Sequence, residues 1–246
     1  MRALQTGLWS LAILVACPIS LRAQADGDAE EAAAEDEVTI TSRWKVLHKT
    51  GRRAQGVRPI AQSAPITPLD DLEFTGPAPG HPFVLGKYAA DGKWAVVNGG
   101  IQLVEGHNAA LKLARAKDFE LEGVIEMQDY GGWFLLVGWD QGRGYSISNV
   151  TMKESGSPWF ITEYRGDTAI EDAHYQLEGH EWRREQPFRV TLRDGELEFQ
   201  VGKAKVLEGQ RLENYSTGDV IFGVYDTRYG PRPVRITALR IRALEE

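Results

Sequence analysis

The stretch from Phe119 to Glu126, FELEGVIE, decides the fold because apolar and acidic side chains mostly alternate along it. Successive side chains of a β-strand point to opposite faces, so this pattern is typical of a strand with one face on a core and the other in water. A second stretch, Trp133 to Val137 (WFLLV), is apolar at every position. We therefore expect it to form a central strand that is covered on both faces.

Beyond these two stretches, a period of two recurs in short segments, and no convincing helical period occurs after residue 60. Arg193-Asp194-Gly195-Glu196 is the clearest hairpin, because Asp-Gly suits the positive φ angles of a two-residue type I′ turn. Short antiparallel strands can also close into a barrel, but the one-sided alternation favours an all-β, two-sheet antiparallel β-sandwich. The predicted strands are Trp94–Val97, Gly100–Val104, Ala109–Ala114, Phe119–Met127, Trp133–Trp139, Tyr145–Thr151, Trp159–Tyr164, Phe188–Arg193, Glu196–Val201, Asp219–Asp226 and Val234–Leu244, with Leu72–Phe74 as a short edge strand.

Four stretches occur in a suggestive order: WAVVNGGI from residue 94, FELE from 119, GWFLLVG from 132 and GVYDTRYG from 223. Together they resemble the concanavalin A-like lectin/glucanase jelly roll, and in particular bacterial exported domains of the 3-keto-disaccharide hydrolase family. The resemblance covers roughly residues 70–246. It implies a concanavalin A-like jelly roll and a hydrolase that acts on 3-keto-disaccharides or related glycosides.

The N-terminus predicts export to the periplasm or the extracellular space. Arg2 precedes an apolar run of about 15 residues, GLWSLAILVACPISL, which suits a signal-peptide core better than a membrane span. Ala23-Gln24-Ala25 would leave Asp26 as the new N-terminus. Leu14-Val15-Ala16-Cys17 instead resembles a lipobox, whose cysteine would carry a lipid anchor. These two outcomes and an uncleaved anchor stay open, and we expect membrane attachment only through Cys17.

Residues 26–66 read as a linker between a signal peptide (1–25) and the sandwich (67–246). Seven acids lie between Asp26 and Glu37, a basic cluster follows, and six of the eleven prolines lie between Pro59 and Pro82. Removal of residues 1–25 would change the formal net charge from -7 to about -9. This balance argues against nucleic acid as a partner, because phosphate binding needs a basic footprint.

Paired acids and clustered metal ligands were both sought as signs of catalysis. Glu120 with Glu122, and Glu196 with Glu198, have the spacing of neighbours on one strand face, which would permit a glycosidase pair. Their apolar neighbours indicate that both pairs lie opposite the core, in solvent. The histidines are scattered, and His174 and His180 match no standard metal spacing. We predict no cofactor, and the E-x-D-x-x-E cluster of jelly-roll glucanases is absent.

Aromatic residues beside polar ones favour sugar recognition, because a pyranose stacks its C–H face on a ring and needs bidentate partners for its hydroxyls. Trp133 and Trp139 share a face in an unbroken strand, and Trp139 at the strand end is expected to reach the rim of the sheet. The main hypothesis is a non-catalytic, lectin-like sandwich that binds carbohydrate, a cell-envelope glycan or another extracytoplasmic ligand. The predicted ligand-binding residues are Trp139, Asp140, Arg143, Tyr145, Trp159 and Arg228.

Two alternatives stay open. The first is the hydrolase that the resemblance implies, in which Asp140, Glu163 or Asp226 would supply the acid and base. The second is a structural interaction module of the cell envelope.

Overall fold

The computed structural model describes residues 40–51, 55–60, 66–75, 87–127, 131–151, 157–166, 169–177, 185–225 and 234–245. Every regular element in these ranges is a β-strand, and they contain no helix long and apolar enough to cross a membrane. In chain order the strands are β1 (Lys45–Lys49), β2 (Val57–Pro59), β3 (Thr67–Leu69), β4 (Glu73–Thr75), β5 (Lys87–Ala89), β6 (Lys93–Val97), β7 (Gly100–Glu105), β8 (Ala109–Ala116), β9 (Phe119–Met127), β10 (Gly131–Asp140), β11 (Arg143–Thr151), β12 (Ser157–Tyr164), β13 (Ala169–Leu177), β14 (Gln186–Arg193), β15 (Glu196–Val201), β16 (Ala204–Arg211), β17 (Gly218–Tyr225) and β18 (Val234–Ala243).

Most strands belong to two antiparallel sheets. The nine-stranded sheet has the order β16-β15-β14-β9-β18-β7-β6-β2, and β1 also pairs with β18; the seven-stranded sheet has the order β13-β12-β11-β10-β17-β8-β3. The two sheets pack face to face. Trp133 of the seven-stranded sheet lies 5.3 Å from Phe188 and 6.1 Å from Phe199 of the other, measured between ring centroids. The predicted fold class, a two-sheet antiparallel β-sandwich, is confirmed.

The tight turns follow the sequence signal. Arg193 pairs with Glu196 across the β14–β15 hairpin, and Asp194 and Gly195 between them have φ angles of 49° and 75°. Two positive φ angles in succession define the type I′ turn, whose twist matches that of the flanking strands. The predicted hairpin is therefore confirmed.

The sandwich begins earlier in the chain than the predicted linker boundary. Strand β1 pairs with β18, with Val46 opposite Arg240, and β2 pairs with β6. Within β1, Leu47 is buried in the common core while Val46 is exposed, and the pairing shifts register between Val46 and His48, so KVLHK carries no clear period of two. Residues 45–59 thus contribute two strands to the nine-stranded sheet.

Strands β4 and β5 form a hairpin that we call the flap. In the described structure they pair with each other and with neither large sheet. The flap covers the outer face of the seven-stranded sheet, the face that points away from the common core. After the flap, the Asp91 carboxylate accepts hydrogen bonds from the backbone N–H groups of His107, at 2.9 Å, and Asn108, at 2.8 Å. Burial alone would raise the pKa of Asp91, but these bonds outweigh it and lower the pKa.

Candidate functional site

Trp139 lies on the outer face of the seven-stranded sheet, whereas Trp133 points into the core. The pairing of β10 with both of its neighbours shifts register just before Trp139 and Asp140, and Gly138 at this point has a φ angle of 60°. An extra residue of this kind, a β-bulge, reverses the alternation beyond it. The spacing of six residues therefore does not place the two tryptophans on one face. A glycine inside a strand often marks a bulge, so Gly138 was the sequence feature that could have predicted this one.

Six aromatic rings meet between the flap and the outer face. Phe74 and Tyr88 of the flap stack with their ring centroids 4.7 Å apart. Trp139 lies 5.7 Å from Phe74 and 5.5 Å from Tyr164. We call this group the outer aromatic cluster; its rings are those of Phe74, Tyr88, Phe134, Trp139, Tyr164 and Tyr225.

Three buried hydroxyl groups on this face make no hydrogen bond of acceptable geometry within the described structure: those of Tyr88, Ser146 and Tyr164. Burial raises the pKa of Tyr88 and of Tyr164, so both phenols stay protonated and can donate. By contrast, the buried Tyr225 hydroxyl donates to the Asn149 carbonyl at 2.7 Å. The Ser146 and Tyr164 hydroxyls are neighbours that fall short of good hydrogen-bond geometry, whereas the Tyr88 hydroxyl has no hydrogen-bond partner among the described residues. A buried polar group without a partner costs about 1–3 kcal/mol, so a bound molecule that accepts a hydrogen bond from Tyr88 would be favoured.

Charged side chains border the outer aromatic cluster beside Trp139. Asp219 is the cross-strand partner of Trp139, and it binds Lys112 at 3.1 Å and Arg115 at 3.4 Å. Arg115 also reaches the half-exposed Asp140 at 3.7 Å. We call Lys112, Arg115, Asp140 and Asp219 the charged rim. Its carboxylates and guanidinium provide the bidentate acceptors and donors that vicinal sugar hydroxyls require.

Two of the predicted ligand-binding residues belong to this region, and a third is near it. Asp140 is part of the charged rim and Trp139 adjoins it. Arg143 is exposed and pairs with Asp140 across the two-residue turn between β10 and β11. Arg228 lies outside the described residues. The structure thus brings together Trp139 and Asp140, at the end of β10, and Arg143, at the start of β11.

Tyr145 and Trp159 lie inside the common core instead. Trp159 is 1% exposed, and its ring centroid lies 5.1 Å from that of Trp133 and 4.6 Å from that of Phe199. Tyr145 is also buried, and its hydroxyl donates to the Glu213 carbonyl. Neither ring presents a face to a ligand in this arrangement. Both continue the regular alternation of their strands, which favours core positions over a binding platform.

The acids considered for hydrolysis do not converge in the described part of the chain. Glu163 follows Trp159 and Ile161 at two-residue spacing on the core side of the seven-stranded sheet, and its carboxylate accepts a hydrogen bond from Arg165 at 2.9 Å. Asp140 pairs with Arg115 beside the outer face. Asp226 lies outside the described residues. Asp140 and Glu163 therefore do not form an acid–base pair.

Among the described residues, no group of three or more His, Cys, Asp or Glu side chains could hold a metal ion. The side chains of His174 and His180 lie outside the part that the structure describes.

Glu120 and Glu122 lie opposite the core, as predicted, but they are not solvated. Glu120 binds Arg242, and Glu122 is held by Arg189 and Arg240 on its two sides. Burial alone would raise the pKa of Glu122, and the hydrogen bonds from the two arginines lower it. Glu196 and Glu198, on the neighbouring β15, are exposed as predicted. The sequence did not reveal the arginine partners because they come from strands distant in the chain.

Comparisons with known proteins found similarity in structure alone. No family model matches the chain, and no curated protein sequence matches it. A solved carbohydrate-binding module, CBM66 from Bacillus subtilis, matches with a TM-score of 0.44 and 16% identity, over 62% of this chain and 89% of that one. A legume lectin-like domain from Entamoeba histolytica matches with a TM-score of 0.48 and 10% identity, over 63% and 88%. A toad ovary galectin in complex with thio-digalactose matches with a TM-score of 0.44 and 6% identity, over 56% and 100%.

Proposed function

We propose that this protein is an exported, non-catalytic sandwich that binds carbohydrate on the outer face of its seven-stranded sheet. One observation carries the proposal: buried hydroxyls, aromatic rings and a charged rim occur together on that face. The apolar N-terminal run and its A-x-A pattern support export. Mass spectrometry of the full chain recovered from a bacterial host tests this part: a start at Asp26 or a lipidated Cys17 would support export, and recovery of the intact chain from the cytoplasm alone would contradict it.

The chemistry of the face matches the two sides of a sugar ring. Trp139 and its ring neighbours offer apolar surface for the C–H face of a pyranose. Hydroxyl groups of the sugar can accept hydrogen bonds from the Tyr88 and Tyr164 hydroxyls. The carboxylates of Asp140 and Asp219 can accept hydrogen bonds from the sugar hydroxyls. A purely apolar ligand would leave the Tyr88 hydroxyl without a partner, and so we favour a polyol over a hydrocarbon.

Access to the rings requires the flap to lift. Trp139 is only 7% exposed while Phe74 and Tyr88 lie over the sheet. The flap is held by ring packing and by its two connections, because its strands add no ladder to either large sheet. If only a fraction of molecules has the flap lifted, the apparent affinity falls by that fraction. We therefore expect weak binding that strengthens when the flap is loosened.

A glycan array with the secreted protein tests the function directly. We expect binding to at least one glycan class, and Trp139→Ala or Asp140→Ala is expected to weaken it by about tenfold or more, since each removes a ring contact or a charged hydrogen bond. Glu196→Ala, which removes an exposed acid on the nine-stranded sheet, serves as the control. A wild-type protein that binds no glycan on the array would overturn the proposal.

A pair of tyrosine variants separates a ligand role from a structural one. Tyr164→Phe removes a hydroxyl whose contact with Ser146 falls short of good hydrogen-bond geometry, so the free energy of unfolding should stay within about 0.5 kcal/mol of wild type while glycan affinity falls by about tenfold. Tyr225→Phe removes a hydroxyl that is bonded to Asn149, so unfolding should become easier by about 1 kcal/mol. Urea unfolding and glycan titration measure the two effects. A Tyr164→Phe protein that loses stability but keeps its affinity would show that the hydroxyl is structural.

A further inference from the structure

The outer face of the nine-stranded sheet carries a groove of about 570 Å³ that the proposed carbohydrate site does not use. Its apolar lining includes Val124, Pro187 and Ala238, and the exposed Val46 stands at one side. A concavity of this size holds a small organic molecule. The groove lies on the opposite side of the sandwich from the flap, since the two sheets enclose the common core between their inner faces.

One row of side chains crosses five strands at this groove. Backbone pairing aligns Val46 on β1, Arg240 on β18, Glu122 on β9, Arg189 on β14 and Gln200 on β15. The Glu122 carboxylate lies between the two arginines, accepting from the Nε atom of Arg189 at 2.9 Å and from the Nε atom of Arg240 at 2.7 Å. The carboxylate therefore fixes both guanidinium groups in place.

Each arginine keeps donors for another molecule. Arg189 and Arg240 direct their Nε and Nη2 atoms to Glu122; Arg189 Nε also lies 3.3 Å from Glu120, and the Arg240 guanidinium lies 4.2 Å from the centre of the Trp44 ring. Neither Nη1 atom makes a hydrogen bond or ion pair within the described residues. Their side chains are 53% and 48% exposed. Arginines that are already held by a carboxylate lose little further conformational entropy when they bind an anion, which favours binding.

The charge of the lining has the sign opposite to that of the chain. Lys49, Arg189 and Arg240 line the groove together with one acid, Glu122, while Glu120 lies beside Arg189 next to the lining; the whole chain has a formal net charge of -7. His48 adds no free donor at Nε2, because this atom lies 2.8 Å from the Gly99 carbonyl. A locally cationic concavity with an apolar floor attracts an anion that carries a hydrocarbon surface.

We propose that this groove is a second ligand site, which binds a small organic anion with an apolar body. The carboxylate, sulfate or phosphate group of the ligand contacts the Nη1 groups of Arg189 and Arg240, and its apolar part covers Val124 and Ala238. The anionic group can belong to an aliphatic or aromatic acid or to an acidic sugar with an apolar substituent. This proposal is independent of carbohydrate binding on the other face.

Ligand-observed NMR with two matched probe pairs tests the site. The first pair is 4-phenylbutyrate and the neutral 4-phenylbutan-1-ol; the second is phenyl glucuronide and the neutral phenyl glucoside. We expect at least one anionic probe to bind and its neutral partner to bind about tenfold more weakly, because the neutral molecule forms no charge-assisted contact. The pair that binds identifies the source of the anion. Equal affinity within both pairs, or no binding of either anion, would overturn the proposal.

Variants locate the binding. Arg189→Gln or Arg240→Gln should lower the affinity for the anionic probe by about tenfold. Ala238→Leu should also lower this affinity, without any change in charge, because the larger side chain fills the apolar floor of the groove. Arg193→Gln, an exposed position farther along β14, is the charge-matched control and should have no effect. Tyr164→Phe should also leave the probe unaffected, which separates this site from the carbohydrate site. Unchanged binding in all three groove variants would place the anion elsewhere and contradict the proposal.

Discussion

At the scale of single residues, Gly138 determines where the candidate carbohydrate site lies. Its φ angle of 60° forms the bulge that turns Trp139 from the core to the outer face. A Cβ atom at this position would lie 2.7 Å from the Tyr215 ring and 2.8 Å from the Ser216 carbonyl oxygen. No side chain fits there without movement of the backbone, so this glycine is required both for its conformation and for its small size.

We predict that Gly138→Ala destabilises the protein by about 2–4 kcal/mol, because a left-handed backbone and a steric clash add together. Gly209→Ala is the matched control: Gly209 has a φ angle of 67°, and a Cβ atom there meets nothing within 4 Å. It should cost only about 1 kcal/mol. Urea unfolding of the two variants measures the difference. Equal losses of stability would show that the contact with Tyr215 and Ser216 is unimportant.

At this scale, the sequence predicts conformations that depend on neighbouring residues better than it predicts the distant partners of a side chain. Asp194-Gly195 defined its turn because the conformation depends on those two residues alone. The roles of Trp159 and Glu122 depend on partners that are distant in the chain, namely Phe199 and Arg240. A period of two shows which residues share a face, but it does not show which face a second strand or a flap will cover. For this reason the aromatic face was predicted in part and the arginine-lined groove was not.

At the scale of elements, the eleven predicted alternating segments are all strands, and they form most of the two sheets. The strands that lacked a clear prediction are short or polar, such as β1, β5 and β16, and they pair at sheet edges or in the flap. Edge strands need only one apolar face and few residues, so their sequence signal is weak. The flap is the clearest example, since its place over the outer face follows from two aromatic residues, Phe74 and Tyr88.

The flap should open without unfolding the sandwich. Because it adds no ladder to either large sheet, we predict that hydrogen exchange in β4 and β5 is faster than in β9 and β10. Phe74→Ala should speed exchange in the flap further and leave β9 and β10 protected. Phe199→Ala, a core control, should lower the stability of the whole domain by about 3–5 kcal/mol. Exchange in β10 that rises as much as in the flap after Phe74→Ala would show that the two unfold together.

At the scale of the whole molecule, the outer faces of the two sheets differ in chemistry. The seven-stranded sheet presents rings and hydroxyls under the flap. The nine-stranded sheet presents a ladder of acids on β9 flanked by arginines, with Trp44 over Arg240 and Arg242 at 4.2 and 4.7 Å. A sheet face without apolar cover must satisfy its polar groups in other ways, and here cross-strand ion pairs do so. The same ladder holds the sheet together and shapes the groove.

This ladder should make the stability of the whole domain sensitive to acid. The folded chain lowers the pKa of Glu122 below its ordinary value of 4.5, so folding favours the carboxylate. The resulting stabilisation is fully present above that ordinary value and is lost as the pH falls through the lowered pKa.

At pH 7 we expect Glu122→Gln to lower the free energy of unfolding by more than the about 1 kcal/mol of an exposed pair and by less than the about 3–5 kcal/mol of a buried one. Urea unfolding at pH 7 and at an acidic pH below 4.5 should show the gap between wild type and variant narrowing, because Glu122 takes up a proton as the pH falls through its lowered pKa. Glu196→Gln, at an exposed position, should show little difference at either pH. A gap for Glu122→Gln that is equally wide at both pH values would mean that the ion pairs do not stabilise the sheet.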